Sequence, residues 1–201
     1  MISVDKYFPI FDKCIAQYHI KDSVGQELNN IFTEGSFEAL LYHKCWIDTV
    51  QWHFEDLIRE PSIDPKSGME LKRKIDKSNQ HRTDMVEQID DRFLEEFSAV
   101  KVLTNATLNT ESPAWVVDRL SILALKIYHM QEQASRADAS EDHKQKSEAR
   151  LNILLEQKVD LTTAFEQLLE EYKSGAKTMK VYRQMKLYND PATNPALYGK
   201  K

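Results

Sequence analysis

The sequence predicts an all-α protein: a single-domain bundle of about five helices, mostly antiparallel, with an irregular C-terminal tail. Only 5 Gly and 6 Pro occur in 201 residues, and long stretches contain neither, as helices require. Apolar residues recur at helical spacing, whereas no strand-like alternation of useful length is present. With 41% hydrophobic and 29% charged residues, the chain can bury one core and keep a solvated surface. We therefore assign residues 1–201 to one helical domain, with residues 176–201 as a tail packed on the bundle.

Capping residues, glycines and prolines set the expected bounds of the helices. Ser36 has the position of an N-cap, and Ser112 followed by Pro113 is typical of a helix start. The expected helices cover about 5–33 (one helix or a broken pair), 36–59, 65–102, 113–136 and 143–174. The helix that begins at Pro113 is apolar nearly all round, which predicts a central place in the bundle.

Composition and charge exclude several classes of protein. A net charge of −5 and a pI of about 5.7 argue against a nucleic-acid or anionic-membrane binder, which would carry a basic stripe. No apolar run approaches the ~18 residues of a membrane span, and early charges interrupt any signal peptide. We expect a cytoplasmic protein. Cys14 and Cys45 lack CxxC spacing, so we expect a reduced pair of core residues, with a disulfide or a metal role as the alternatives.

Charged and amide residues interrupt helix faces that packing alone would make apolar. Arg82 falls near the centre of the apolar stripe of the 65–102 helix, and Asn79 lies beside it. An arginine on a core line needs a carboxylate, because a buried unpaired charge is very costly. We expect that carboxylate to be Glu55, Asp56 or Asp118.

Similar intrusions occur on other helices. Asp118 and Lys158 lie on largely apolar faces, and His53 lies at the margin of one. Taken singly, Asp118 is explained as an acid in the first turn of its helix, which the helix dipole favours. Lys158 is explained as a lysine whose stem packs on the core while its amine reaches solvent, and His53 as a histidine at the edge of the core. Together with Arg82 they suggest a shared polar layer, which is either a structural network or a ligand or catalytic site. Glu55 and Arg59, four residues apart, are expected to form an ion pair.

Several motifs carry a resemblance to a known family. The segments WHFED (52–56), NQHRTDMVEQID (79–90), DRLSIL (118–123) and KLYNDP (186–191) resemble the bacterial domain-of-unknown-function family DUF4254. The resemblance spans nearly the whole chain. It implies an all-helical protein with no established activity, whose relatives tend to accompany glycosyltransferase and envelope-sugar functions. The family pattern falls on His53, Glu55, Asp56, Asn79, Gln80, Arg82, Thr83, Asp84, Glu87 and Asp90.

The favoured function is binding of a small polar or phosphorylated ligand, such as a sugar nucleotide, at the Arg/acid/amide layer. Arginines and Lys158 would hold phosphate or carboxylate, amides and Asp76 would read hydroxyls, and Trp52 would stack on a ring. The candidate ligand-binding residues are Trp52, His53, Glu55, Asp56, Arg59, Asp76, Asn79, Gln80, Arg82, Glu87, Asp118, Arg119 and Lys158.

A metal-dependent hydrolase is the first alternative. His53 with Asp56, and Glu87 with Asp90, have the i, i+3 spacing of ligands on one helix face. A Glu-x-x-His motif and a clustered histidine set for zinc are both missing from the sequence pattern. No cofactor is therefore predicted, and a divalent metal stays an alternative.

A non-catalytic interaction module is the second alternative. Its partner would dock on the tail at 182–191. The simpler expectation for this tail is packing of Tyr182, Met185 and Tyr188 onto the bundle. The sequence decides neither whether the protein is an enzyme nor its oligomeric state.

Overall fold

The computed structural model describes residues 2–186 and 190–199, and it confirms the all-α prediction. In chain order the elements are a 3-10 turn at Val4–Lys6, α1 at Tyr7–His19, α2 at Phe37–Leu57, α3 at Pro65–Glu96, α4 at Pro113–Ser135, α5 at Glu141–Lys173 and the short α6 at Pro195–Tyr198. Within the described residues there is no strand, and Thr107 and Lys177 form one isolated bridge. No described helix combines the length and the apolar character needed to cross a bilayer.

Side-chain caps explain where the helices begin. Ser36 Oγ accepts a hydrogen bond from the Ala39 amide at 3.0 Å, which confirms the predicted cap of α2. Ser112 occupies the predicted N-cap position of α4, but its side chain makes no capping bond. Its hydroxyl donates instead to Asp90 Oδ2 on α3, at 2.8 Å. The start of α4 is therefore fixed to α3 by a side-chain contact.

The first and third helices end earlier than predicted. The chain leaves α1 after His19, and Asp22 adopts a left-handed conformation with φ 46°. Gln26 Nε2 donates to the Tyr18 carbonyl at 2.9 Å, so a side chain satisfies a carbonyl at the helix end. The predicted helix over 20–33 is wrong, because this segment satisfies its backbone groups through turns and side chains. Helix α3 similarly ends at Glu96 rather than at 102.

Helix α4 is the centre of the bundle, as its apolar sequence predicts. It packs against α1, α2, α3 and α5. Short turns at 58–64 and 136–140 join α2 to α3 and α4 to α5, so each packed pair runs antiparallel. Cys14 and Cys45 are free and buried, in agreement with the reduced core pair. Beside them an aromatic cluster fills the core: the Tyr7 ring centroid lies 5.9 Å from those of Phe37 and Phe165.

The described part of the tail contacts α3 through charged side chains. Arg183 pairs with Asp91, and Lys186 Nζ donates to the Asn79 carbonyl at 2.9 Å. Tyr182 and Met185 are 71% and 82% exposed. The expected packing of these two side chains onto the bundle is therefore wrong. Tyr188 lies outside the described residues.

Candidate functional site

A charged layer lies between α2, α3 and α4, and we call Lys44, Asp48, Arg82, Asp118 and Ser121 the polar layer. Arg82 makes a two-pronged contact with Asp118, from Nε to Oδ1 at 2.9 Å and from Nη2 to Oδ2 at 2.6 Å. Lys44 Nζ contacts Asp48 and lies 2.8 Å from Asp118 Oδ1. Ser121 Oγ donates to Asp48 Oδ2 at 2.6 Å. The predicted pairing of Arg82 with an acid on another helix is confirmed, and the acid is Asp118.

The polar layer is buried and balanced in charge. The side chains of Lys44 and Asp48 are fully buried, that of Asp118 is 9% exposed, and that of Arg82 is 29% exposed. Two cations face two carboxylates, which is the arrangement that makes buried charges tolerable. Arg82 Nε also lies 3.3 Å from Asp48 Oδ1. Arg82 is thus the member of the polar layer that reaches solvent.

The two carboxylates of the polar layer differ in proton affinity. Burial raises the pKa of Asp48, and the opposing effects of Lys44 and Arg82 do not cancel it. Burial also acts on Asp118, but there Lys44 and Arg82 outweigh it and lower the pKa. Asp48 is therefore the carboxylate that takes up a proton more easily if a cation is lost.

An amide chain continues the polar layer toward the start of α3. Gln51 Nε2 donates to Asn79 Oδ1 at 2.6 Å, and Ser78 Oγ donates to Gln51 Oε1 at 3.0 Å. Thr83 Oγ1 donates to the Asn79 carbonyl at 3.0 Å. Part of the predicted amide surface is consequently used to join α2 to α3.

Three cavities meet at Arg82. The first, which we call the Lys186 cavity, has a volume of about 320 Å³ and is lined by Asp76, Asn79, Arg82, Thr83, Val86, Trp115 and Lys186. A second, of about 230 Å³, adds Glu111, Asp118, Arg119 and Lys126 among its lining residues. A third, of about 350 Å³, is lined by Asp48, Gln51, Trp52, Glu55, Asp56, Arg59, Arg82 and Ile122. Arg82 is the residue common to all three.

Many of the predicted ligand-binding residues surround Arg82 in these cavities. The Glu55–Arg59 ion pair is confirmed, with Arg59 Nη1 3.0 Å from Glu55 Oε2. Asp76 pairs with Lys72 at the rim, and Arg119 Nη2 lies 3.1 Å from Glu111 Oε2. The residues that line a cavity together with Arg82 are Trp52, Glu55, Asp56, Arg59, Asp76, Asn79, Asp118 and Arg119.

Four predicted residues line none of these three cavities, and one of them, His53, contacts His19 of α1. Lys158 Nζ lies 4.1 Å from the ring centroid of Phe8, so the expectation that it joins the polar layer is wrong. Gln80 Nε2 donates to Asp84 at 2.8 Å on the exposed side of α3. Glu87 Oε1 accepts from the backbone amide of Gln184 in the tail, at 3.0 Å. An apolar stripe on one helix does not show which neighbouring helix faces each of its residues.

The comparisons with known proteins identify the family. A family model described as "Protein of unknown function (DUF4254)" matches residues 38–181. The chain belongs to the DUF4254 family. No curated protein and no solved structure gives a significant match. In this DUF4254 protein the WHFED motif ends α2, and the NQHRTD motif occupies the middle of α3, where Arg82 joins the polar layer.

The predicted metal ligands of this DUF4254 protein do not come together. Asp90 of α3 is buried against the start of α4, where its carboxylate accepts a hydrogen bond from Ser112 Oγ. Glu87 contacts the tail instead. In residues 2–186 and 190–199, the one group of three potential ligands is His19, His53 and His129. The prediction that no histidine cluster exists is therefore wrong. Its members belong to α1, α2 and α4, and sequence spacing cannot reveal such a group.

The histidine cluster is compact and partly buried. One ring nitrogen of each histidine lies within 4.8 Å of the other two. His53 Nε2 is 3.2 Å from His19 Nε2 and 3.8 Å from Asp22 Oδ1. Burial lowers the pKa of His53, with a smaller opposing effect from Asp22. Trp52, which sequence analysis placed against a ligand ring, stacks instead on His129, with ring centroids 4.9 Å apart.

Sequence reasoning missed Lys44 and Asp48. Their i, i+4 spacing gave a signal, but such pairs are common on exposed helix faces. The decisive fact is that the first half of α2 is buried on nearly every side, including Leu41, Cys45 and Thr49.

Proposed function

We propose that this DUF4254 protein binds a small phosphorylated sugar, or a closely related anionic metabolite, in the Lys186 cavity. The observation that carries the proposal is the state of the Arg82 guanidinium. Nε and Nη2 are committed to Asp118, whereas Nη1 makes no hydrogen bond to any described residue. The side chain is 29% exposed and lines the cavity wall. An oriented arginine with a free donor is suited to an oxyanion.

The charges of the Lys186 cavity favour an anion. Arg82 and Lys186 line it, and its carboxylate, Asp76, already pairs with Lys72. Burial lowers the pKa of Lys186, with Asp84 opposing this effect and Arg82 adding to it. A bound phosphate would stabilise the ammonium form, because a nearby negative charge favours a cation. The ligand would thus relieve an unfavourable electrostatic environment at Lys186.

The remaining lining residues fit the rest of a sugar phosphate. Asn79, Thr83 and Asp76 bring polar groups for hydroxyls, and Trp115 brings an aromatic surface. A volume of about 320 Å³ lies at the lower end of the usual range for small-molecule sites, roughly 300–1,000 Å³. A sugar nucleotide would extend past Arg82 into a neighbouring cavity, which Arg82 also lines.

A thermal-shift screen followed by calorimetry tests the proposal. The probes are hexose phosphates, sugar nucleotides and, as the uncharged comparison, free hexoses. A ligand of the native state raises the melting temperature by mass action. Lys186→Ala should weaken binding of a phosphorylated hit by about tenfold or more, since a hydrogen bond to a charged group contributes about 1.5–3 kcal/mol.

Two further variants make the screen specific. Arg82→Lys keeps the positive charge but loses the planar guanidinium that can donate two parallel hydrogen bonds. It should therefore weaken phosphate binding while leaving the fold intact. Arg136→Ala is the control, because Arg136 pairs with Asp138 at the exposed end of α4. Hits that stabilise the wild type and Lys186→Ala equally would place the ligand elsewhere. A screen without phosphorylated hits would contradict the proposal.

A further inference from the structure

We propose that His19, His53 and His129 form a binding site for a borderline divalent transition-metal ion, with Zn²⁺ as the best-fitting member of that class. This site is separate from the Lys186 cavity and does not depend on the proposed sugar-phosphate ligand. Three imidazoles with an open fourth position are a known ligand set for zinc. Magnesium and calcium prefer oxygen ligands and are not expected here.

The spacing of the nitrogens suits coordination to one ion. Tetrahedral zinc with Zn–N bonds of about 2.0–2.1 Å places its nitrogens about 3.3 Å apart. The Nε2 atoms of His19 and His53 are 3.2 Å apart, and the nitrogen of His129 lies within 4.8 Å of the others. Coordination would require the His129 nitrogen to move closer to the other two, by up to about 1.5 Å. The two Nε2 atoms are within hydrogen-bond distance of each other, and a metal ion would displace the proton between them.

The outer nitrogens of two rings are already fixed by acceptors. His19 Nδ1 lies 2.7 Å from the Ile15 carbonyl, and His129 Nδ1 lies 2.8 Å from Glu132 Oε2. Because a carbonyl or a carboxylate can only accept, Nδ1 carries the proton in both rings and Nε2 has the free lone pair. Metal-binding histidines usually have this second contact. The Nε2 atom of His129 is buried and has no hydrogen-bond partner among the described residues, which is unusual for a polar atom.

Aromatic neighbours hold each imidazole in place. Tyr18 stacks on His53 at 4.9 Å with an angle of 12° between the rings, and Tyr128 stacks on His19 at 4.4 Å. Trp52 stacks on His129 in the same way. Rings that are oriented by packing lose less freedom when they bind an ion, and this favours affinity.

The surroundings offer a fourth ligand and an entry path. Asp22 Oδ1 is 3.8 Å from His53 Nε2, and Asp22 holds the one left-handed non-glycine conformation among the described residues. Its carboxylate, or a water molecule, would complete a tetrahedral set. Trp52 and His129 also line a cavity of about 560 Å³. All three histidines are also partly exposed, so the cluster is not sealed inside the bundle.

Metal titration of the full chain tests the site. Protein treated with EDTA is titrated with Zn²⁺ in a calorimeter, and with Co²⁺ as a probe whose visible bands report tetrahedral geometry. We expect one ion per chain. Replacing one ligand, as in His53→Gln or His129→Gln, should weaken binding by about 100-fold or more, because outer contacts alone are worth about 10–100-fold.

Two milder variants guard against misfolding as the explanation. Glu132→Gln removes the carboxylate behind His129 at a half-exposed position, so the fold should persist while Zn²⁺ affinity falls about tenfold. His143→Gln is the matched control, because His143 contacts Gln133 and lies outside the cluster. Arg82→Lys should bind Zn²⁺ like the wild type, which separates this test from that of the sugar-phosphate site.

Histidine side-chain NMR of the wild type gives an answer that needs no variant. Of the 6 histidines, Zn²⁺ should shift three, with Nε2 as the coordinating atom. The site would be refuted by binding that is unchanged in the His53 and His129 variants. Absence of saturable binding would refute it equally, as would shifts confined to His43, His81 or His143.

Discussion

Replacing Lys44 with methionine tests whether the polar layer depends on charge balance. Methionine is unbranched and similar in length, so Lys44→Met removes the charge with little change in volume. Asp48 and Asp118 would then share Arg82 as their one cation within the polar layer, leaving a net negative charge in a buried site. Removing one partner from a buried ion pair costs about 3–5 kcal/mol. The two contacts of Lys44, at about 1.5–3 kcal/mol each, give a similar range.

The loss should depend on pH in a defined direction. Burial raises the pKa of Asp48, and Lys44 is the largest opposing influence, so the variant should raise it further. A carboxyl whose pKa is raised in the folded state binds more protons when folded than when unfolded. Stability therefore falls as the pH rises from the unfolded pKa through the folded one. The cost of Lys44→Met should be smaller at about pH 5 than at about pH 8.

Urea denaturation followed by circular dichroism measures these differences. Lys72→Met is the matched control, because Lys72 and Asp76 form the same i, i+4 pair on an exposed face. Its cost should stay within about 0.5 kcal/mol. Adding Asp48→Asn to Lys44→Met restores neutrality, so the double variant should be more stable than additivity predicts by about 2 kcal/mol. A cost below about 1 kcal/mol for Lys44→Met, or a cost that does not change with pH, would refute the charge-balance reasoning.

Two further pairs of substitutions test the packing of the fold. Gly175→Ala should destabilise by about 2–4 kcal/mol, because the residue has φ 74° and a Cβ would lie 2.4 Å from the Lys101 carbonyl oxygen. Gly35→Ala, at φ 79° with open space around it, should cost only about 1–2 kcal/mol; equal losses in urea denaturation would contradict the proposed clash. Asp90→Ala should cost about 1–2 kcal/mol, because the buried carboxylate accepts from the hydroxyl at the α4 N-cap. The exposed neighbour variant Asp91→Ala should stay within about 0.5 kcal/mol, and a larger loss at Asp91 than at Asp90 would contradict this assignment.

Local patterns in the sequence predicted the helices and one key contact. The Ser36 cap and the Pro113 start depend on groups within one helical turn, so both could be read directly. The partner of Arg82 could be narrowed to three acidic residues, because a buried guanidinium requires a carboxylate partner. Choosing Asp118 among them required knowing that α4 packs against α3 with Asp118 opposite Arg82.

Features that depend on several helices were beyond sequence reasoning. Residues His19, His53 and His129 are far apart in the chain and meet only after α1, α2 and α4 have packed. Lys44 and Asp48 form an ordinary i, i+4 pair in sequence, and only their burial distinguishes them from Lys72 and Asp76. Periodicity shows which side of a helix is apolar. It does not show which residues of other helices lie opposite.

The most direct test of the proposed sugar-phosphate site is the indole NMR signal of Trp115. The chain has 3 tryptophans, at positions 46, 52 and 115, and Trp115 lines the Lys186 cavity. Trp115→Phe assigns its indole N–H signal in ¹⁵N-labelled protein, which is then titrated with a hexose 1-phosphate and with the free hexose. The proposal predicts that the phosphate, and not the free sugar, shifts the Trp115 signal, and that Lys186→Ala suppresses the shift. A spectrum in which Trp52 alone moves, or in which no indole signal moves at millimolar ligand, would contradict it.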